Sequence, residues 1–565
     1  MRTLRLDTAT RHLCAGVYLD RTFRIKVLHK VHNDTRHMIA PSYGFNLVPV
    51  IRHAWRAWFL EHAQHVAVVL TLSVGFAANP PAVVGVGCVL CVVTVVRLAT
   101  RQGRELARRQ AKAAADSFLH RTTWRSDTEA LRQARRIVRL GGWAVLGLLT
   151  APFLLASMQE VHPEAMVRTT LLLLGLLAGV VAVRAAVTQW CMNAMHHADP
   201  LDDTPTTVRL ADIAAQQDHP VVIYRRPEPP DPEEDDELRL PRLRLDEEEE
   251  EFFVGAGLLV HRWMPPLAIQ LHADGDGEEK VEFARPPFQA SELVTYLRGA
   301  MAPIGDADDP TSLPGFQIRD RLYAPEDDVA HRPAWLWKGL DQSEIDAAVD
   351  SPYGALHHFL EIRTSATGEI VTTVFLRVTV KGRTLSLDFA ATALTRTPRE
   401  FQILEGHAES GGGAVVRAVL RALAGLPGQV SAAYRLVLAP WTVVRACLAR
   451  RNGLVRPRRG RTVGPVVSIR AERATDWENK SAFDEVTIQD HVKLIELRLL
   501  NCTETFLRGR GVDVSGFSKR AASIINAGIL NMGGRVDVKD SAVGPHSQYR
   551  NDVRDDSKAE EGAHG

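Results

Sequence analysis

The segment MHHADPLDD, residues 195–203, combines residue types that could hold a metal ion. His196, His197 and Asp199 lie close together in it, and imidazole and carboxylate groups suit several divalent ions. Polar residues at the end of a helix, before a proline, are the more ordinary source of such a pattern. We therefore predict no resident metal, and these three residues are the candidate ligands if one binds.

Two other groups could support metal, redox or catalytic chemistry. Cys88 and Cys91 form a CVLC pair inside an apolar run, where thiols without a second Cys or His pair favour a packing role. His357, His358 and Glu361 fall on one predicted strand, and alternation along a strand splits them between its faces. Neither group predicts a catalytic centre.

A glycine-rich run, GHAESGGGAVVRAVLRALAG, leads into a predicted helix at residues 406–425. Backbone amides at a helix start can bind an anion, but the run lacks the GK[ST] ending of a nucleotide-binding loop. The sequence contains no complete catalytic constellation. It therefore assigns no catalytic residue and no cofactor.

The elements that surround these residues are dominated by apolar runs between residues 65 and 190. A helix over residues 65–96 would be about 48 Å long, whereas the hydrocarbon layer of a bilayer is about 30 Å thick. Asn79, Pro80 and Pro81 interrupt this run and favour a turn. The run therefore predicts a hairpin of two transmembrane helices, at about 58–78 and 82–98.

A second hairpin is predicted from the apolar runs at 141–158 and 169–189. The loop between the hairpins, residues 97–140, is rich in Lys and Arg, as cytoplasmic loops are. We expect a multi-pass protein of the plasma membrane with both termini in the cytoplasm. Two alternatives stay open: a re-entrant hairpin at 65–96, with the same orientation, and a set of buried helices in a large soluble core.

Charged and small residues in the predicted spans bear on function. Arg184 is the only embedded charge and lies near the cytoplasmic end of the fourth helix, where a long side chain reaches the headgroups. No carboxylate falls in the middle of a span, which disfavours a transporter or channel. Gly175 and Gly179 have the GxxxG spacing that permits close helix packing, within the chain or in a homo-oligomer.

The remaining chain predicts a cytoplasmic α+β domain. Residues 356–394 contain three strand-like runs joined by short turns, which predict an antiparallel meander. The fold class is thus an α-helical membrane domain of two transmembrane hairpins plus an α+β domain with an antiparallel sheet and C-terminal helices. The predicted segments are an N-terminal helical segment (1–54), the transmembrane domain (55–190), an acidic, proline-rich linker (191–251), the α+β domain (252–470), C-terminal helices (471–530) and a disordered tail (531–565).

A basic segment follows an apolar, Trp-bearing stretch at residues 434–461. This composition favours contact with an anionic membrane surface, because the chain is already anchored, and it disfavours nucleic acid. A plain solvated basic segment is the alternative. The predicted contact residues are Trp441, Arg445, Arg450, Arg451, Arg456, Arg458 and Arg459.

Three segments, TRHLCAGVYLDRTFRIKVLHKV, APSYGFNLVPVIRHA and FLRGRGVDVSGFSKRAASIIN, together with the two hairpins, resemble uncharacterised actinobacterial multi-pass membrane proteins. The resemblance implies a membrane anchor and carries over neither an activity nor a catalytic residue. We expect a non-enzymatic scaffold, sensor or partner-binding module, with the lipid bilayer and a protein as partners. The alternatives are a membrane-bound enzyme with its site in residues 252–470 and a transporter or channel subunit.

Overall fold

The computed structural model describes residues 7–120, 147, 150, 157, 162–197, 201–224, 253–274, 281–329, 331–402, 411–451, 463–465, 467–475 and 480–526. Most of the predicted third membrane helix (141–158), the acidic part of the predicted linker and the tail lie outside these residues. The helices are α1 (Thr8–Leu19), α2 (Arg21–Lys26), α3 (Leu47–Ala78), α4 (Pro80–His120), α5 (Pro163–His197), α6 (Val208–Gln217), α7 (Ala290–Met301), α8 (Glu326–Val329), α9 (Gln342–Asp350), α10 (Gly412–Ala424), α11 (Leu426–Ser431), α12 (Ala439–Arg451), α13 (Ile469–Glu472), α14 (Ala482–Gly509) and α15 (Ser515–Asn526). The strands are β1 (Val221–Tyr224), β2 (Leu258–Arg262), β3 (Leu267–Gln270), β4 (Gln317–Pro325), β5 (His357–Ala366), β6 (Ile370–Lys381) and β7 (Thr384–Leu394).

The first apolar hairpin consists of α3 and α4, which meet at Asn79 as the proline pair predicts. The helix α3 starts well before the predicted position 58, because the Asn46 side chain accepts a hydrogen bond from the Val48 backbone N–H at 3.0 Å and caps an earlier turn. The helix α4 continues through the basic residues to His120. The first part of the predicted loop 97–140 is therefore helical.

The start of α5 lies beside the turn between α3 and α4. The Thr170 hydroxyl is 3.3 Å from the Ala82 carbonyl oxygen, and a Cβ added at Gly75 would lie 2.8 Å from the Leu173 side chain. We call this end of the three helices the far end, and the opposite end, next to the sheet, the sheet side. Both α4 and α5 therefore run from the far end to the sheet side.

Within the described residues, four helical stretches are long and apolar enough to cross a membrane, by length and composition. Three of them correspond to predicted transmembrane helices, and the fourth overlaps the segment predicted to contact the membrane surface. The four stretches are Leu47–Ala78, Pro80–Arg101, Pro163–Met195 and Leu426–Ala449.

The described strands form one seven-stranded sheet in the order β1-β4-β5-β6-β7-β2, and β3 also pairs with β7. The predicted meander β5-β6-β7 is present. The sheet is mixed rather than purely antiparallel, because β1 pairs with β4 in parallel. The strand β1 comes from residues 221–224, within the range predicted as linker, because Val221, Val222 and Ile223 are apolar and become buried.

Different parts of the chain pack on the two faces of the sheet. Helices α7, α9, α14 and α15 pack on one face and form the largest hydrophobic cluster with residues such as Leu360 and Ile362. The other face packs against Tyr43 and Phe253, and the Phe253 ring stacks on Phe375 at a centroid distance of 3.9 Å. Alternation along the strands therefore sends one set of side chains to helices and the other to the N-terminal part of the chain.

The N-terminal helices pack between the apolar helices and the sheet. Residues of α1, α2, α3, α5 and α6 share a hydrophobic cluster with Phe401 and Ile469. The His12 imidazole lies 2.6 Å from the Glu369 carboxylate, and the Arg11 guanidinium donates to the Met195 carbonyl oxygen at 2.7 Å. The N-terminal segment thus connects the sheet domain directly to the ends of the apolar helices.

Candidate functional site

The predicted metal candidates lie at the end of α5. This helix reaches His196 and His197, whose side chains lie outside the described part of the chain, as does Asp199. Within the ranges that the structure describes, no group of three His, Cys, Asp or Glu side chains is arranged to hold a metal ion. Cys88 is buried and Cys91 is exposed.

The strand alternation predicted for β5 is observed. His358 faces the helix-covered side, where its imidazole Nε2 lies 2.8 Å from Asp320. Glu361 faces the N-terminal side, where it accepts a hydrogen bond from the Arg321 guanidinium at 2.7 Å. His357, at the strand's start, also lies on the N-terminal side, 3.3 Å from the Arg377 guanidinium. The three residues therefore do not converge on one centre.

The GxxxG pair in α5 lies on an open face. A Cβ added at Gly175 or Gly179 would meet no described atom within 4 Å. Gly175 instead lines an open apolar groove of about 830 Å³ with Val167, Leu171 and Leu172. The close helix contact in the described structure is made by Gly75, a glycine that the sequence did not single out.

Part of the predicted membrane-surface segment is described. Trp441 is 59% exposed, and the Arg445 guanidinium lies 5.3 Å from the centre of its ring. The side chains of Arg450 and Arg451, and all of Arg456, Arg458 and Arg459, lie outside the described residues. The two described residues expose an aromatic and a charged group on the same helix.

A concentration of charged side chains surrounds Glu61 on α3. This carboxylate is 6% exposed and is paired with Arg24, which is 3% exposed. The Arg435 guanidinium lies 3.2 Å from the other carboxylate oxygen, and Arg21 lies 3.5 Å from it. Three guanidinium groups, two from α2 and one from the segment 411–451, thus converge on one carboxylate.

A fourth guanidinium, that of Arg184 on α5, lies next to the residues that surround Glu61. It donates to the Gln429 side-chain oxygen at 3.2 Å, and the Gln64 amide donates to the same oxygen at 3.3 Å. Arg184 also interacts electrostatically with Glu61. The predicted interface anchor Arg184 is therefore bound within a polar cluster, which we call the boundary cluster and define as Arg21, Arg24, Glu61, Gln64, His65, Arg184, Gln429 and Arg435.

The segment that carries Gln429 and Arg435 is a helical hairpin formed by residues 411–451. Its first end lies near the sheet side of α5, where the Asn193 amide lies 3.4 Å from the Gly411 carbonyl oxygen. Its second half returns to the same side, where the Asn33 amide is 3.4 Å from the Thr442 carbonyl oxygen. Both ends therefore lie on the sheet side, whereas α10 packs along α5 and the residues around the turn, Leu426–Leu438, contact α3 and α4.

Helix lengths relate the position of the boundary cluster to the thickness of a bilayer. At 1.5 Å per residue, Glu61 is about 26 Å from Ala78 along α3, and Arg184 is about 32 Å from Pro163 along α5. Both lengths are close to the thickness of a hydrocarbon core, about 30 Å. With the far end at one surface, the cluster lies at the opposite boundary of the apolar layer.

Several polar atoms of the boundary cluster are buried without a hydrogen-bond partner among the described atoms. They are Nε of Arg24, Arg184 and Arg435, Nδ1 of His65 and Oε1 of Gln64. Buried polar atoms are usually hydrogen-bonded, so such a concentration needs an explanation. Burial lowers the pKa of the Arg24 guanidinium, and the charge of Glu61 partly reverses that effect. The cluster therefore has more positive charge than its one carboxylate balances, and this charge is fully buried at Arg24 and partly exposed at Arg21 and Arg435, whose side chains are 44% and 30% exposed.

A second candidate site is a partly enclosed pocket of about 260 Å³ on the N-terminal side of the sheet. Its walls combine four aromatic rings with two arginines, one histidine and one aspartate. The register places Arg377 directly opposite Asp388 on the neighbouring strand. The residues that carry this chemistry are Tyr224, Phe253, Tyr323, Phe359, Arg262, Arg377, His357 and Asp388. Apolar walls with a few convergent polar groups are typical of a small-molecule site.

Neither arrangement was predicted from the sequence. Glu61, Gln64 and His65 lie three and four residues apart, which places them on one helix face, and this spacing was the available signal. Their partners come from α2, α5 and the hairpin at 411–451, and no local pattern connects these elements. The pocket likewise has no local sequence signal, because its residues come from strands that are neighbours in the sheet but distant in the sequence.

Comparison with known families gives one match. Residues 263–538 match the family model of the AbeC-like domain. The matched region begins between β2 and β3 and includes the hairpin 411–451 together with helices α14 and α15, but it excludes α3, α4 and α5. No curated protein and no solved structure matches the chain. The boundary cluster therefore joins residues inside the AbeC-like region, Gln429 and Arg435, to residues outside it.

Proposed function

We propose that this chain is a non-enzymatic integral membrane protein that holds a ligand-binding sheet domain firmly against the inner face of the plasma membrane and acts as a sensor or scaffold there. The observation that carries this proposal is the direct packing of the sheet domain on the apolar helices through α1 and α2. A rigid connection allows binding on one part to alter the other, because packed elements shift between discrete arrangements.

The tight contact between Gly16 and Phe401 supports a rigid connection. A Cβ at Gly16 would lie 2.5 Å from the Phe401 ring, so α1 and the segment after β7 approach as closely as a glycine permits. The Arg470 guanidinium, 0% exposed, adds hydrogen bonds to the Glu369 and Thr395 carbonyl oxygens at 2.6 and 2.7 Å. Contacts of this kind favour one fixed orientation of the domain.

The aromatic pocket supports a binding role for the sheet domain. Its polar groups, Arg262, Arg377 and His357, suit the acidic group of a small ligand, and its rings suit a planar body. We therefore propose a planar, anionic small molecule as the ligand class. The protein partner expected from the sequence would then respond to the ligand-bound domain.

The orientation that we propose has four crossings, with the sheet side and both termini in the cytoplasm. It is supported by the common direction of α4 and α5, which both start at the far end, and by the basic residues of 97–140. The predicted helix 141–158 would be the return crossing. The hairpin 411–451 would enter from the cytoplasm without crossing.

Reporter fusions test this topology. A periplasmic-type reporter inserted after Asn79 or Pro163 should be active, and one inserted after Gly428 should be inactive because the hairpin does not cross. A reporter that is active only in the cytoplasm would overturn the orientation if it were active after Asn79. An active external reporter at Gly428 would show that residues 426–449 cross the membrane.

Ligand binding is tested on the full-length protein in lipid nanodiscs, because β1 and the N-terminal helices belong to the folded domain. p-Nitrophenyl phosphate, a planar anion, should raise the thermal midpoint, and Arg377→Ala should abolish the rise. Arg383→Ala, an exposed arginine on the β6–β7 turn, is the matched control and should respond like the wild type. Absence of any rise with this probe and with benzoate would contradict the ligand class, and release of nitrophenolate would instead favour the membrane-bound enzyme.

A further inference from the structure

We propose that the boundary cluster is a binding site for one phosphate group, presented by an anionic lipid headgroup or by free phosphate. Three guanidinium groups, from Arg21, Arg24 and Arg435, pair with the single carboxylate of Glu61. A fourth, from Arg184, joins the cluster through its hydrogen bond to Gln429. A buried charge without a partner is strongly unfavourable. An anion at this position supplies the missing negative charge.

The chemistry of the unpaired atoms supports an anion rather than a second cation, because three of them are guanidinium N–H donors and one, Oε1 of Gln64, is an amide acceptor. Arg24, Arg184 and Arg435 each have an Nε–H group that is buried without an acceptor, and an arginine nitrogen can only donate. His65, which is 1% exposed, adds a ring nitrogen without a partner. Phosphate oxygens are acceptors that several guanidinium groups can share.

The location supports a source in the membrane. The cluster lies where α3 and α5 meet the sheet side, and basic pockets between membrane helices at the cytoplasmic side bind the headgroups of anionic lipids. The inserted turn near Gln429 closes one wall, because Gln429 holds both Arg184 and Gln64. An occupied site would therefore link α3, α5 and the AbeC-like region through one ligand.

The experiment compares full-length protein in nanodiscs of phosphatidylcholine with discs that also contain phosphatidic acid. We expect a higher thermal midpoint in the anionic discs and retention of phosphatidic acid in native mass spectra. Inorganic phosphate added to phosphatidylcholine discs is the second arm. A rise with phosphate and none with phosphatidic acid would assign the site to the free ion, and no rise in either arm would overturn the proposal.

Charge variants separate anion binding from a purely structural role. Glu61→Gln removes the competing carboxylate, so it should lower the midpoint in phosphatidylcholine and yet enlarge the rise produced by the anion. Arg184→Gln should weaken anion binding about fivefold, the effect expected for one arginine near an anionic surface. Arg417→Gln, an exposed arginine on the same hairpin, is the control and should bind like the wild type.

These variants also define failure. A smaller rise for Glu61→Gln than for the wild type would show that the carboxylate takes part in binding and would overturn the proposal. Equal weakening by Arg184→Gln and Arg417→Gln would indicate general surface attraction in place of a site.

Discussion

Two buried glutamates, Glu61 in the boundary cluster and Glu496 on α14, show how charge balance distinguishes a binding site from a structural contact. Glu496 is 1% exposed and accepts hydrogen bonds from Trp263 at 2.7 Å and from Lys493 at 2.7 Å, and the His261 ring nitrogen lies 3.0 Å away. None of these four side chains has a buried atom without a partner among the described residues. At Glu61, by contrast, the carboxylate is satisfied but the surrounding cations are not.

The difference indicates what each site requires. A satisfied network in a low-dielectric interior stabilises one arrangement and needs no ligand. A network with surplus buried donors lowers the stability of the fold until a ligand accepts hydrogen bonds from those donors. The Glu496 network should therefore behave identically in every bilayer, and the Glu61 cluster should depend on the lipid or anion present.

The largest effect is expected for Glu496→Ala. This change leaves the Trp263 N–H and the Lys493 ammonium without their acceptor, and breaking such a buried pair costs about 3–5 kcal/mol of unfolding free energy. Chemical denaturation should give the same loss in phosphatidylcholine and in anionic discs. Glu504→Ala, which removes a surface pair with Arg508, should cost less than about 1 kcal/mol. A loss for Glu496→Ala that changed with lipid would remove the contrast with Glu61.

The next effect concerns the connection between the two parts of the molecule. Gly16→Ala places a methyl group against the Phe401 ring, and overpacking of this kind costs about 1–3 kcal/mol. Adding Phe401→Leu should recover part of that loss. Gly299→Ala on α7, where a Cβ would meet no described atom within 4 Å, should be neutral or slightly stabilising. Equal midpoints for Gly16→Ala and the wild type would refute the close packing.

Acidification should destabilise the sheet domain in two stages. Burial lowers the pKa of His491 below 6.5, so the unfolded chain binds more protons than the folded one and stability begins to fall below about pH 6.5. Burial alone would raise the pKa of Glu496, but hydrogen bonds from His261, Lys493 and Trp263 hold it below 4.5. Its stabilising contribution is present above pH 4.5 and is lost as the pH falls through the lowered value.

Midpoints measured across pH test this order. His491→Gln should reduce the first stage and leave the second. It should not abolish the first stage, because burial also lowers the pKa of His219. A stability that increased between pH 6 and pH 4 would contradict both assignments.

The smallest effect is expected at the exposed pair of Arg383 and Glu282, in which the arginine side chain is 50% exposed. Arg383→Ala should change the unfolding free energy by less than about 1 kcal/mol, because water screens the pair. This variant gives the baseline against which the two buried glutamates are compared. A cost similar to that of Glu496→Ala would mean that burial does not separate the two classes.

Local patterns predicted the elements that depend on neighbouring residues. The prolines at 80 and 81 placed the turn between α3 and α4, and the alternating runs at 356–394 placed β5, β6 and β7. Helix ends were less predictable, because α3 gains its first turns from contacts with α1 and α2 that are distant in sequence. The strand β1, which pairs with β4 in parallel, was not predicted. It is only four residues long, Val221–Tyr224, and it precedes an acidic run, so its pairing depends on residues that are distant in sequence.

The sequence by itself determined that apolar helices and an α+β part exist in one chain, because hydrophobic length and periodicity are local properties. Only the tertiary structure decided that α1 and α2 join these parts, that residues 411–451 fold back on the sheet side, and that four arginines surround Glu61. Those results depend on long-range packing, in which residues hundreds of positions apart share one buried environment. Charge balance within such an environment is a property of the assembled fold and of no single segment.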